Sequence, residues 1–178
     1  DSVRLFILSD SPPEKDVQWS DEGIKSSFKF VQKLWVLHQK ILEEINLDHP
    51  SNSNKELEKI THQFIKSVQN NIENFSYNKI IANIHEIYSA LNKVLETKID
   101  KKNLIENYQK ILITISPIIP HFASECLEAM KVGEIKNLLL WPKVNNDILI
   151  ENTINFVVQI NGKKRAILNL EKGLTEEQ

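Results

Sequence analysis

Three cations follow a tight-turn signal late in the sequence. Lys163, Lys164 and Arg165 come directly after Asn161-Gly162, a dipeptide typical of a type I′ hairpin turn. Cations at a projecting turn could meet nucleic-acid phosphates without a deep pocket. Because side chains alternate along a strand, we expect Lys163 and Arg165 on one face and Lys164 on the other. A solvated edge, where lysines discourage strand pairing, explains the same residues.

Two further cations and two tryptophans could also contact RNA. Arg4 and Lys15 bracket the first connector and could meet phosphates, although surface ion pairs or snorkelling side chains are the favoured interpretation. Trp19 and Trp35 could stack on bases. Both lie near an apolar helical pattern, so we expect them to pack in the core.

The sequence contains no pattern typical of a catalytic or metal centre. It lacks a Gly-rich phosphate loop, GxSxG and HExxH, and Cys126 is its one cysteine. The five histidines show no ligand spacing. We expect His38 to be a hydrogen-bonded residue of a helix interface, and His121 to have a structural or capping role at a helix start. No catalytic residue and no metal ligand is predicted.

Composition indicates a globular protein without an overall basic surface. The 178 residues are 41% hydrophobic and 26% charged, and 22 basic against 24 acidic residues give a net charge of −2. Any contact with RNA must therefore come from a local patch. No apolar run approaches the ~18 residues typical of a membrane span. Because the sequence opens on Asp1, we interpret it as a piece of a longer protein.

Apolar periodicity predicts a helical body. Pro12 and Pro13 stop any helix begun at residues 3–8, and Ser20 is a good N-cap for the long helix that follows. Pro117 ends or kinks a later helix, and Pro120 suits the first turn of another. The predicted apolar stripes are Ile24, Phe28, Val31, Trp35, His38, Leu42 and Ile45; Leu57, Ile60, Phe64, Val68 and Ile72; Tyr77 to Leu95, capped by Ser76; Leu104 to Ile115; and Phe122, Cys126, Leu127 and Met130.

Period-two alternation replaces the helical period near the end of the sequence. It predicts one strand over residues 154–160 and a returning strand over 163–170. The predicted fold is mainly α, an antiparallel helical bundle over residues 1–143. The start of a second, truncated domain with a small β-hairpin is expected over residues 144–178.

Several motifs resemble the region after the catalytic domain of bacterial-type leucyl-tRNA synthetases. ISPIIPHFASECL resembles the family's Ser-Pro-hydrophobic-x-Pro-His segment, and VVQINGKKR its Val-Gln-Val-Asn-Gly-Lys turn. Lys33 stands where the family usually has arginine, so the charge is kept but the planar fork is lost. The connector motif is carried by Asp1, Arg4, Pro12, Pro13, Asp16, Trp19, Ser20, Phe30 and Trp35.

This resemblance implies an anticodon-binding-type helical domain with no catalytic centre. The parent would be a class I aminoacyl-tRNA synthetase, a cytoplasmic and monomeric leucine–tRNA ligase whose catalytic domain uses ATP with Mg²⁺. The fragment would brace that catalytic domain and lie along tRNA(Leu), with no membrane partner. Enzymes of this kind generally use tRNA shape rather than the anticodon. The implied RNA-binding residues are Arg4, Lys15, Lys33, Lys163, Lys164 and Arg165.

Two alternatives remain open from the sequence. The chain could be the corresponding domain of a valyl- or isoleucyl-tRNA synthetase, which share the helical plan more loosely. A helical scaffold that binds protein rather than RNA would suit the acidic net charge.

Overall fold

The computed structural model describes residues 1–10, 12, 14–47, 54–130, 140–149, 153–160 and 163–171. Within these residues, six helices precede a two-stranded antiparallel sheet, which confirms the predicted fold class. The chain divides into two compact units, Asp1–Asn145 and Asn146–Gln178. The domain boundary after residue 143 stays a prediction. The helices are α1 (Ser2–Asp10), α2 (Asp21–Asn46), α3 (Lys55–Glu73), α4 (Tyr77–Val94), α5 (Lys101–Ile115) and α6 (Pro120–Ala129).

Aliphatic side chains from all six helices form one core in the first unit. Helix α3 packs on α4 and α5, α1 packs on α2 and α4, and α6 packs on α5. The predicted apolar stripes of α3 to α6 are confirmed, because Phe64, Ile84, Leu112 and Cys126 are all buried. Burying one such aliphatic or aromatic side chain stabilises the fold by about 1.5–3 kcal/mol. In the described ranges, no helix combines the length and apolarity needed to cross a bilayer.

The predicted stripe of α2 was wrong in part, because His38 is buried and Val31 and Ile45 pack against the core, whereas Phe28 and Trp35 are exposed. Phe28 is 54% exposed and Trp35 is 40% exposed. The 26-residue helix carries two apolar rows. The neighbouring helices cover mainly the row that was not predicted. A spacing count cannot choose between two rows on one helix. The buried residues are Phe30, Leu34, Leu37, His38 and Ile41.

Two predicted N-caps had different outcomes. Ser20 Oγ accepts a hydrogen bond from Gly23 N at 3.1 Å, so this cap is confirmed. Ser76 makes no such bond, and its hydroxyl instead donates to the Asn74 carbonyl at 3.4 Å. Phe75, with φ 52°, forces a tight turn, and Ser76 has ψ 60° rather than the extended backbone that a capping serine requires.

The connector before α2 is anchored by an aromatic contact. The Trp19 ring packs edge-on against Phe6 with centroids 5.6 Å apart, and its Nε1 donates to Asp21 Oδ1 at 2.8 Å. Trp19 remains 63% exposed, so the expectation of core packing was wrong for this residue. A side chain at Gly23 would collide with the Phe6 ring, so the close approach of α1 to α2 requires glycine there.

The second unit contains the predicted hairpin. Strand β1 (Thr153–Ile160) pairs with β2 (Lys163–Glu171) in antiparallel register. The pairing passes from Val158↔Ala166 to Gln159↔Lys164, which leaves Arg165 as an extra residue in a bulge. A bulge interrupts the two-residue alternation, so the simple assignment of the three cations to two faces does not hold. The predicted turn at 161–162 lies outside the described residues.

Candidate nucleic-acid interface

Arg4, a predicted RNA-binding residue, is exposed but directs its guanidinium at the backbone of the bundle. Its Nε donates to the Ile118 carbonyl at 3.0 Å and its terminal amino group to the Pro117 carbonyl at 2.7 Å. These carbonyls lie in the turn between α5 and α6, outside the hydrogen-bonded turns of either helix. Arg4 therefore braces the α5–α6 turn. Contact of Arg4 with RNA stays a prediction that would have to coexist with these two bonds.

Asp1 contacts the start of α6, on the other side of the same turn. Ile119 occupies the N-cap position of α6 and has no side-chain acceptor. The Asp1 carboxylate takes that place, accepting from Phe122 N at 2.6 Å and His121 N at 3.4 Å. His121 Nδ1 lies 3.2 Å from the same carboxylate, so His121 has the structural role predicted for it. A negative group at a helix N-terminus also suits the helix dipole.

Lys15 and Lys33 are both exposed, but they lie in different settings. The Lys15 backbone N–H donates to the Pro12 carbonyl at 3.0 Å, within the connector. Lys33 lies on α2 beside His85 of α4. Burial lowers the pKa of His85, and the charge of Lys33 lowers it further.

The hairpin supplies the remaining predicted cations. Lys164 and Arg165 are exposed near the start of β2. Lys163 begins that strand, but its side chain lies outside the described residues. RNA binding at these three positions stays a prediction.

Sequence reasoning missed a row of lysines on α2. Lys29, Lys33 and Lys40, with Val36 between the last two, repeat the 4-3-4 spacing of the core residues one position earlier. One residue is about 100° around a helix, so this row lies beside the core face. The three lysines, called the lysine row below, are exposed. Their spacing could have revealed the row once the core phase of α2 was known.

The lysine row borders a groove between α2 and α4. The groove has a volume of about 330 Å³, and its walls carry no acidic side chain. Phe30 positions the α4 wall by stacking on His85 at 3.7 Å and meeting Tyr88 edge-on at 5.7 Å. Asn92 Nδ2 donates to the Tyr88 carbonyl at 2.9 Å, which orients its amide. The groove is lined by Lys29, Gln32, Lys33, Val36, Leu37, Lys40, Tyr88 and Asn92.

The buried polar groups of the bundle serve packing. His38, fully buried, places Nδ1 3.2 Å from Tyr108 Oη, so its predicted role as a hydrogen-bonded residue of a helix interface is confirmed. Burial raises the pKa of the Cys126 thiol to about 12, so the thiol is protonated and unreactive at neutral pH. The described part of the chain contains no group of three or more His, Cys, Asp or Glu that could hold a metal ion.

The chain is similar to leucine–tRNA ligases along almost its whole length. It is 34% identical to the Bartonella tribocorum ligase over 176 residues, which cover 93% of this chain and 20% of that protein. It is 32% identical to the Wolbachia pipientis ligase over 181 residues, which cover 100% of this chain and 22% of that protein. The chain thus spans about a fifth of the length of these relatives.

A solved structure has the same fold. It is the LeuRS of Agrobacterium radiobacter K84 in a ternary complex with tRNA and LeuAMS. The TM-score is 0.77 at 22% identity, over 99% of this chain and 23% of that chain. The family model described as the anticodon-binding domain of tRNA ligase matches residues 54–178, well over half of the sequence. The chain therefore belongs to the anticodon-binding domain family of tRNA ligases.

Proposed function

We propose that this chain is the helical tRNA-contacting part of a leucine–tRNA ligase, which attaches leucine to tRNA(Leu) with ATP. The observation that carries the proposal is the likeness to leucine–tRNA ligases over 93% and 100% of the chain. The helical bundle suits this role because a packed bundle is a stiff arm that holds a fixed distance between tRNA and a catalytic domain. The chain itself would contribute binding rather than chemistry.

We propose that the six predicted cations contact tRNA(Leu) and that Arg4, which is held by two carbonyls, contributes least. Support for this ranking comes from the engagement of Arg4 with two carbonyls. Exposure supports a role in binding for four of the others, Lys15, Lys33, Lys164 and Arg165. Lys163 is included because it precedes two exposed cations in the sequence.

The catalytic domain of the parent is the second proposed partner. Helix α1 exposes Val3 at 53% and Ile7 at 41%, one turn apart on the same face. An apolar face of this kind suits packing against another domain of the same polypeptide. ATP with Mg²⁺ would be bound by that catalytic domain, in a cytoplasmic and monomeric parent. The described residues of this chain offer no carboxylate cluster for the metal.

Aminoacylation by the full-length protein tests the proposal. We expect it to charge tRNA(Leu) with leucine. We expect it not to charge tRNA(Val) with valine or tRNA(Ile) with isoleucine. Measuring radiolabelled amino acid on each purified tRNA distinguishes the three ligases. Charging of tRNA(Val) or tRNA(Ile) would refute the leucine assignment, and no charging together with no binding of any tRNA would refute the proposed function.

A further inference from the structure

We propose that the lysine row of α2 binds the phosphate backbone of tRNA along the groove between α2 and α4. The inference rests on the proposed function and adds a surface to it. Only Lys33 of this row was predicted from the sequence. Lys29 and Lys40 are new assignments.

The first support is the charge of the middle of α2, where every ionised side chain is a lysine. Residues 23–42 contain Lys25, Lys29, Lys33 and Lys40 but no aspartate or glutamate, and the acids of α2 lie at its two ends, at Asp21, Glu22, Glu43 and Glu44. Within the described residues, no ion pair is recorded for any lysine of the row. By contrast, Lys102 on α5 lies 3.9 Å from Glu106. Lys25, Lys29 and Lys33 are spaced four residues apart, where like charges on a helix repel one another, and an anionic partner would relieve that repulsion.

The second support is the geometry of the row. Lys29 and Lys33 are one helical turn apart, about 6 Å along the axis, and Lys40 lies about 10 Å further on. The row therefore runs along the helix for about 16 Å. A linear array of cations suits a linear polyanion such as a phosphate backbone. It sits on a rigid helix whose buried neighbours Phe30, Leu34 and Ile41 fix its direction.

The third support is the character of the groove beside the row. Gln32 and Asn92 supply amides and Tyr88 a hydroxyl, the uncharged groups that commonly accompany lysine at phosphate and sugar. A protein partner would be expected to find an apolar pocket for an aromatic anchor. The groove also carries apolar surface, to which Val36 and Leu37 contribute within the described structure. The lysines and these polar groups suit an anionic partner, and the linear spacing of the row favours an RNA backbone over an acidic polypeptide.

Binding of tRNA(Leu) transcript to the full-length protein, measured by filter binding between 50 and 200 mM KCl, tests the inference. The test variant carries Lys29→Gln, Lys33→Gln and Lys40→Gln. The matched control carries Lys79→Gln, Lys98→Gln and Lys101→Gln, which removes three exposed lysines from other surfaces. We expect the row variant to lose about 2 to 3 from the salt slope, so that its affinity changes roughly 16- to 64-fold less than that of the wild type over this fourfold range of salt. The control should lose less than about 1.

A charge-preserving variant guards against a folding artefact. Lys29→Arg, Lys33→Arg and Lys40→Arg should keep the wild-type salt slope, because arginine also binds phosphate. Equal slopes for the row variant and the control would overturn the inference while leaving the proposed function intact. Failure of the wild-type protein to bind tRNA would overturn both. If the row variant instead lost binding to poly-L-glutamate but not to tRNA, the partner would be an acidic polypeptide and the inference would be wrong.

Discussion

Two sets of cations in the same bundle have opposite settings. Arg4 directs its guanidinium at the carbonyls of Pro117 and Ile118, whereas the lysine row faces a groove without acidic walls. Arg4 and Lys33 look equally suited to RNA when only the sequence is read. The difference teaches that the role of a cation depends on which acceptors the fold leaves within its reach. The carbonyls after α5 accept hydrogen bonds from Arg4, whereas no such bond to the lysine row is seen among the described residues.

The comparison predicts the largest effect on stability at Arg4. Arg4→Gln should lower the free energy of unfolding of the 178-residue chain by about 1 to 2 kcal/mol, because two charge-assisted bonds at a partly exposed site are lost. Lys29→Gln, the matched surface change, should alter it by less than about 0.5 kcal/mol. Urea denaturation followed by circular dichroism measures both. Equal effects of the two substitutions would contradict the distinction.

A second prediction concerns the buried histidine of the core. Burial lowers the pKa of His38, so the unfolded chain takes up its proton first as the pH falls. Stability should therefore be full above the ordinary histidine pKa of about 6.5 and decline as the pH falls below it. The slope from one proton is at most about 1.4 kcal/mol per pH unit.

His38→Gln should make this decline shallower in urea titrations at pH 5 to 7. A residual slope is expected, since burial also lowers the pKa of His62 and His85. An unchanged slope in the variant would show that His38 is not held neutral by the core.

The smallest predicted effect reports on the lysine row itself. Burial first, and then the charge of Lys33, lowers the pKa of His85. Lys33→Gln should therefore raise that pKa, whereas Lys98→Gln should leave it in place. Nuclear magnetic resonance titration of the His85 ring measures both. If the His85 pKa did not respond to Lys33→Gln, the Lys33 charge would lie too far from the α4 wall of the groove to influence it.

Sequence periodicity predicted most of the bundle, because α3 to α6 each carry one dominant apolar row. It was wrong in part on α2, where Phe30 and Leu34 are buried and the predicted Phe28 and Trp35 are exposed. The choice is made by the helices that pack on α2, which are α1, α4, α5 and α6 and lie elsewhere in the sequence. Local patterns do not contain that information. The Ser20 cap and the hairpin strands were predicted because their signals lie within a few residues of one another.

The candidate site was predicted less well, for the same physical reason. The acceptors that engage Arg4 lie 113 and 114 residues away, so no local pattern could show that its charge is used in the fold. The lysine row, together with Val36, shows the 4-3-4 spacing in the sequence. Its exposure could be inferred only after the core phase of α2 was known.

Lysine footprinting of the full-length protein tests the central claim most directly. Lysines are acetylated with and without saturating tRNA(Leu), and the modification at each position is quantified by mass spectrometry. We predict that tRNA protects Lys29, Lys33 and Lys40, while Lys98 and Lys101 react equally in both states. Equal reactivity of the lysine row with and without bound tRNA would contradict the account.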